Sequence, residues 1–133
     1  MANQTICIVD DDPLFQYVTK RMIDKVLSNY HLLQFTDGGQ AIEYIRENLE
    51  HAENLPQLVF LDINMPGMNG WQFLEEFRSL QSDNYLPVIY MASSSTDSTD
   101  INKAKTYEEL FGYIVKPISR EELAEILTAT YVD

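Results

Sequence analysis

Short apolar runs alternate five times with longer amphipathic stretches along this chain, and that alternation leaves few folds open. A short apolar run makes a strand buried on both faces, and a stretch with apolar residues three and four apart makes a helix that covers it. Strand and helix in strict succession form a parallel sheet with helices on both faces, an α/β fold. The strand runs are Thr5 to Val9, His31 to Phe35, Leu58 to Leu61, Val88 to Ala92 and Gly112 to Val115. The second is mixed and predicts an edge strand with one partly exposed face. The other four read as apolar on both faces, as central strands do.

Between the strands, Pro13 to Leu27 carries Leu14, Val18, Met22 and Val26 four apart, which predicts a helix presenting that stripe to the core. Asp12 is its expected N-cap and Pro13 its first helical residue. A second helix is expected from Gly39 to Asn48 with Ala41, Ile42 and Ile45 inward and Asp37 near its start. A third begins near Gly70 and presents Phe73, Leu74 and Phe77. The last follows Ser119, which has capping-box spacing to Glu122, and places Leu123, Ile126 and Leu127 on one side. From Ser98 to Leu110, Ile101, Ala104 and Tyr107 have helical spacing but a thin apolar face, so a short or mobile helix is expected. Ser93 to Thr99 reads as a loop before it.

Charge stands where three apolar runs stop: Asp10, Asp11 and Asp12 after the first, Asp62 after the third, and Lys116 after the last. Ser93 closes the fourth. Open α/β sheets bind ligands outside the carboxyl ends of their strands, where the chain order reverses. Any one of these residues alone would be a helix cap or a solvated strand end, and Asp12 reads as a cap because Pro13 follows it. Together on one edge they predict a site. Carboxylates within about 6 Å repel by roughly 3 kcal/mol per pair at an effective dielectric near 20, which Lys116 offsets in part. Hard oxygen ligands suit Mg²⁺, which keeps several waters and takes one or two carboxylates plus a phosphate oxygen. An aspartate in such a pocket can attack phosphorus and form an acyl phosphate. Asp62 is the expected acceptor, with Asp10 and Asp11 on Mg²⁺, the Asn64 carbonyl as a further ligand, and Lys116 and Ser93 on phosphoryl oxygens.

A length of 133 residues suits one domain, 1–133, with a real core, and no output domain is expected. The single cysteine, Cys7, excludes an intramolecular disulfide and a cysteine-based zinc site, and reads as a small buried hydrophobe in a reducing, cytoplasmic setting. No apolar stretch approaches the about 18 residues of a membrane span, and Met1 to Thr5 lacks the basic flank and apolar core of a leader peptide. A formal charge of −12, from 21 acidic and 9 basic residues, would repel a nucleic acid backbone. The chain is expected to be a monomer or weak dimer.

Three motifs occur in order: Ile8-Val9-Asp10-Asp11-Asp12-Pro13, then Leu61-Asp62-Ile63-Asn64-Met65-Pro66-Gly67-Met68-Asn69-Gly70, then Gly112-Tyr113-Ile114-Val115-Lys116-Pro117. In these, and over nearly its whole length, the chain resembles a response-regulator receiver domain of the stand-alone CheY-like kind. The resemblance implies a doubly wound, flavodoxin-like three-layer sandwich whose five parallel strands run in the order 2-1-3-4-5. It implies Asp62 as phosphoacceptor, Asp10 and Asp11 as the acidic pair serving Mg²⁺, Asn64 as the carbonyl ligand, Lys116 as the phosphate-binding lysine, and Pro117 after a cis peptide bond. The donor would be a histidine kinase or histidine phosphotransfer protein, and an unnamed downstream protein would read the result. A hydroxyl at the end of the fourth strand would move toward the phosphoryl group while an aromatic on the fifth, here Tyr113, turns inward. Counting from Pro87 puts that hydroxyl position on Ala92, and counting back from Asp100 puts it on Ser93; Ser93 is preferred because a hydroxyl is needed.

Plainer roles stand beside these. Tyr113 could be simple packing, His31 and His51 read as solvated residues, Trp71 as packed or half exposed, and Glu121, Glu122 and Glu125 as a solvated face. A phosphohydrolase with an aspartyl nucleophile would need a second acid where Asn64 stands. A flavodoxin-like electron carrier would need a phosphate loop where the three aspartates stand. A phosphate-independent pseudo-receiver would not need the intact acidic pair, acceptor and lysine. The favoured reading is a switch and not an enzyme.

Overall fold

A computed structural model describes residues 4–80 and 83–131; the leader-peptide expectation falls partly on residues 1–3, outside that range. The elements follow the predicted alternation: β1 (Thr5–Val9), α1 (Pro13–Asp24), β2 (His31–Phe35), α2 (Gly38–Glu47), a 3₁₀ turn at Ala52–Asn54, β3 (Leu58–Leu61), α3 (Gly70–Ser79), β4 (Val88–Ser93), α4 (Ser98–Ala104), β5 (Leu110–Val115) and α5 (Arg120–Tyr131). All strand pairs are parallel, in the order β2-β1-β3-β4-β5. The chain winds outward from β1 to β2, returns to β3 on the other side of β1, and continues to β5. The reversal lies between the carboxyl ends of β1 and β3, where Asp10 and Asp62 stand.

The sheet divides the core in two. Ile6, Ile8, Phe60 and Ile114 pack with Phe15 and Ile23 of α1 and Leu123 and Leu127 of α5. Cys7, Val9, Val59, Leu61 and Met91 pack with Ile42 and Ile45 of α2 and Phe73 and Leu74 of α3. Strands β1 and β3 are buried throughout, which their unbroken apolar sequence dictates. Cys7 is buried, as expected of a small hydrophobe.

Two expectations are corrected. Helix α1 does not present Leu14, Val18 and Val26 inward: they are 67%, 41% and 43% exposed, and the buried face is Phe15, Gln16, Thr19 and Ile23. Both sets have helical spacing, and it is Phe15 and Ile23 that pack over the Ile6, Ile8, Leu58 and Phe60 side chains of β1 and β3. Strand β5 is not buried on both faces; it is the second edge, and Phe111 is 71% exposed. Its Gly112 leaves room for the Tyr90 ring, which a Cβ there would meet at 3.1 Å. Tyr90 is stacked on Phe60 at 6.3 Å and tilted against Phe111 at 5.8 Å, and the strand register slips beside it, between Ile89 and Tyr90.

Helix α4 is short, as its thin apolar face predicts. Caps hold the starts of α1, α2 and α5 where the sequence places them: Asp12 accepts from the Leu14 amide, Asp37 from Gln40, and Ser119 from Glu122. Helix α3 has a full capping box between Asn69 and Gln72 that the sequence pattern does not single out.

Candidate functional site

Sheet hydrogen bonding runs one residue past the strands and fixes both central aspartates. The Asp10 amide donates to the Phe35 carbonyl at 2.9 Å, and the Asp62 amide donates to the Val9 carbonyl at 2.9 Å. Their side chains therefore leave adjacent strands at one level. Asp10 is 1% exposed and Asp62 8%, whereas Asp11 lies in the open. One carboxylate oxygen from each of Asp10, Asp11 and Asp62 lies within 4.8 Å of the others.

Lys116 reaches this group from β5. Its amide donates to the Ser93 carbonyl at 2.8 Å, the Lys116–Pro117 peptide is cis, and its Nζ stands 2.6 Å from Asp10 Oδ2 and 3.6 Å from Asp62 Oδ2. The ammonium also sits 4.4 Å from the centre of the Phe15 ring, a favourable cation–π position. One cation thus faces three carboxylates. Burial, opposed by the Lys116 ammonium, holds the Asp10 carboxyl above its ordinary value. Burial and then the Asp10 charge push Asp62 up to about 6. This charge imbalance suits a divalent cation: three convergent hard oxygens, two of them buried, fit Mg²⁺ by number and type.

The segment after β3 holds Asp62 firmly. Asp62 Oδ1 accepts from the Ile63 amide at 2.8 Å, which leaves Oδ2 toward Lys116. The Gly70 amide donates to the Ile63 carbonyl at 2.9 Å, and a Cβ on Gly70 would collide with the Asp62 carbonyl oxygen. Gly67 makes the turn at φ 73°, and the Gly38 amide of α2 donates to the Met68 carbonyl at 2.9 Å. Asn64 lies on the open rim, where it lines a cleft of about 350 Å³ with Asp11, Met65, Pro66 and Asn69.

On the other side of the rim, Ser93 is buried and its Oγ accepts from the Ser95 amide at 3.1 Å. Ser95 is the hub of the loop: its Oγ donates to Asp100 Oδ2 at 2.7 Å and accepts from the Asp97 amide at 3.2 Å. Its carbonyl accepts from the Tyr113 hydroxyl at 2.8 Å. Tyr113 packs half buried against the α2/α3 side of the core. Ala92 and Ile114 are buried on the α1/α5 side instead, and Met91 on the Tyr113 side. Strand alternation therefore puts Ser93 on the face of Tyr113.

Residues 6–128 match the family model of the response regulator receiver domain. The chain belongs to that family. Receivers are signalling switches of two-component systems. This receiver is 29% identical over 130 residues to the nitrate/nitrite response regulator NarL of Escherichia coli K12, covering 96% of the chain and 56% of NarL. It is 32% identical over 124 residues to the two-component response regulator ARR14 of Arabidopsis thaliana, covering 91% of the chain and 29% of ARR14. It therefore spans well under two thirds of these relatives. Among solved structures, a two-component response regulator from Cytophaga hutchinsonii superposes with a TM-score of 0.86 at 24% identity, with both chains covered fully. A CheY-like receiver from Methanospirillum hungatei superposes at 0.76 with 21% identity, covering 96% of this chain and 92% of that one. Both share the fold.

The receiver brings Asp10, Asp11, Asp62 and Lys116 together; Asn64 shares the cleft of Asp11, Ser93 is joined to the Lys116 amide through its carbonyl, and Tyr113 is tied to the β4–α4 loop through Ser95. His31 and His51 are exposed. Sequence reasoning misses Phe15, whose ring lies under Lys116, and Gln16, whose side chain reaches the end of β1. The available signal was the spacing of Phe15, Thr19 and Ile23, which defines the true inner face of α1. Among the described residues, no helix is long and apolar enough to cross a membrane.

Proposed function

We propose that this receiver accepts a phosphoryl group on Asp62 from a phosphohistidine of a histidine kinase or histidine phosphotransfer protein, and signals by contact with a downstream protein. The observation that carries the reading is the convergence of three carboxylates on one lysine at the carboxyl edge of the sheet. Asp10, Asp11, Asp62 and the Asn64 carbonyl would hold Mg²⁺, which neutralises charge on the phosphoryl oxygens. An Asp62 oxygen attacks phosphorus, an O–P bond forms, and the N–P bond of the donor breaks with its electron pair left on the imidazole. Lys116 then exchanges part of its pairing with Asp10 for a phosphoryl oxygen. Ser93, on the face of Tyr113, supplies a hydroxyl for another. That shift would pull on Ser95 and so on the Tyr113 hydroxyl, biasing the α4–β5–α5 surface between two states.

The receiver turns over no separate metabolite in this reading, and it acts in the cytoplasm. Two structures with similar folds support the chemistry by description: one is of the phosphorylated cyanobacterial phytochrome response regulator RcpA, and the other of the Mn²⁺-bound form of Rcp1. The test is intact mass after incubation with acetyl phosphate, with and without Mg²⁺. A hydrolysable adduct of one phosphoryl group is expected, dependent on Mg²⁺ and lost in Asp62→Asn. An adduct that persists in Asp62→Asn would overturn the assignment of the acceptor.

A further inference from the structure

Gln16 is a polar residue on the buried face of α1, where packing alone would favour an apolar one. Its Nε2 faces three backbone carbonyls, those of Ile8 at 3.2 Å, Asp10 at 3.1 Å and Phe35 at 3.1 Å. Its Oε1 accepts from Gln34 Nε2 on β2 at 2.9 Å. This orientation is the only sensible one for the amide, because the reverse would set Oε1 against three carbonyl oxygens.

The bond to Asp10 matters most. The Asp10 carbonyl belongs to the peptide that joins Asp10 to Asp11, so rotation of that peptide plane would redirect the Asp11 side chain relative to Asp10. The ladder reaches the Asp10 amide, through the Phe35 carbonyl, but among the described residues no backbone amide donates to the Asp10 carbonyl. The Phe35 carbonyl that Gln16 also meets is the acceptor of the Asp10 amide, so one side chain holds the residue from both of its peptide groups. We infer that Gln16, oriented by Gln34, is a positioning residue that sets the Asp10–Asp11 carboxylate pair for its cation. The inference rests on the Mg²⁺ site proposed above and adds two residues that do not touch the ion.

Removing partners that hold metal ligands in place changes metal affinity by about 10- to 100-fold. The experiment is a Mg²⁺ titration followed through the Asp12 amide resonance, a local probe because that amide donates to Asp10 Oδ1 at 2.9 Å. Wild type, Gln16→Met and Gln34→Leu are compared, each with a urea unfolding curve measured without metal. Gln16→Met keeps the length of the side chain and removes its donors, and its Mg²⁺ dissociation constant should rise about 10-fold. Gln34→Leu changes an exposed residue and should raise the constant less, with little change in the urea midpoint. A purely structural Gln16 would lower the midpoint and leave Mg²⁺ affinity of the folded protein unchanged. Constants within twofold of wild type in both variants would overturn the inference, and if Gln16→Met does not fold, Gln34→Leu decides alone. Failure of the wild type to bind Mg²⁺ would instead remove the proposed site, and this inference with it.

Discussion

At Asp62, burial and the neighbouring Asp10 charge act in the same direction, and together they lift the carboxyl from 3.8 to about 6. A group that binds its proton more tightly when folded favours the folded state as pH falls. Between pH 7 and the ordinary carboxylate range, the metal-free protein should therefore gain stability on acidification, about 3 kcal/mol from Asp62 alone. Asp10 is shifted in the same direction and adds to the trend. Asp62→Asn should stabilise the metal-free protein at pH 7 and flatten this dependence, which urea unfolding at several pH values will read. A wild-type stability that falls on acidification from pH 7 to 5 would contradict the assignment. The identity of these residues is legible in sequence because core packing gives no reason for charge at the end of an apolar run. Ser93 is less legible: counting gives two answers for the hydroxyl position, and the alternation of Met91, Ala92 and Ser93 about the sheet, which sequence spacing cannot supply, is what favours Ser93 as the residue on the Tyr113 face.

Helix α1 shows how an element can be located correctly and rotated wrongly. Its start is written in Asp12 and Pro13, but it ends at Asp24, short of the expected Leu27, and two stripes of helical spacing compete along it, the choice depending on what the sheet offers beneath. Phe15→Ala should cost about 3–5 kcal/mol, whereas Leu14→Ala, on the exposed face, should change stability by no more than about 0.5 kcal/mol, measured by denaturant unfolding. Equal costs would restore the stripe read from sequence. Helix α3 meets α4 and the turn that follows it through a column that no local pattern announces: Trp71 stacks on Tyr107 at 5.6 Å, Lys103 lies 4.7 Å over Trp71, and Arg78 lies 4.9 Å over Tyr107. Such contacts join residues far apart in the chain, so spacing cannot reveal them. Trp71 is the only tryptophan, and its emission should report any displacement of α4. Acetyl phosphate with Mg²⁺ should change it in wild type and leave it unchanged in Asp62→Asn.

At the scale of the whole molecule, strand order and layering follow from the alternation of elements and the family resemblance, while β5 defies its apolar sequence because an edge is a property of the sheet and not of the strand. Net charge is the other global property. With a formal charge of −12 and ion pairs that are mostly exposed, such as Lys20–Asp24 and Arg46–Glu76, self-repulsion should outweigh the attraction of the pairs. Sodium chloride raised from about 20 to 200 mM should therefore lift the thermal midpoint by a few degrees, since screening shortens to below about 10 Å. A lower midpoint would mean that the surface pairs dominate. The contact of Gly70 with the Asp62 carbonyl also gives the molecule a direction. In the proposed function, the Asp62 main chain has helix backbone at its back, so the bulk of an added phosphoryl group would be absorbed across the rim, where the β4–α4 loop is tied by hydroxyl and carboxylate hydrogen bonds. On that proposal one bank of the carboxyl edge would act as an abutment and the other as a hinge, and strain created at Asp62 would leave the molecule on the side of α4.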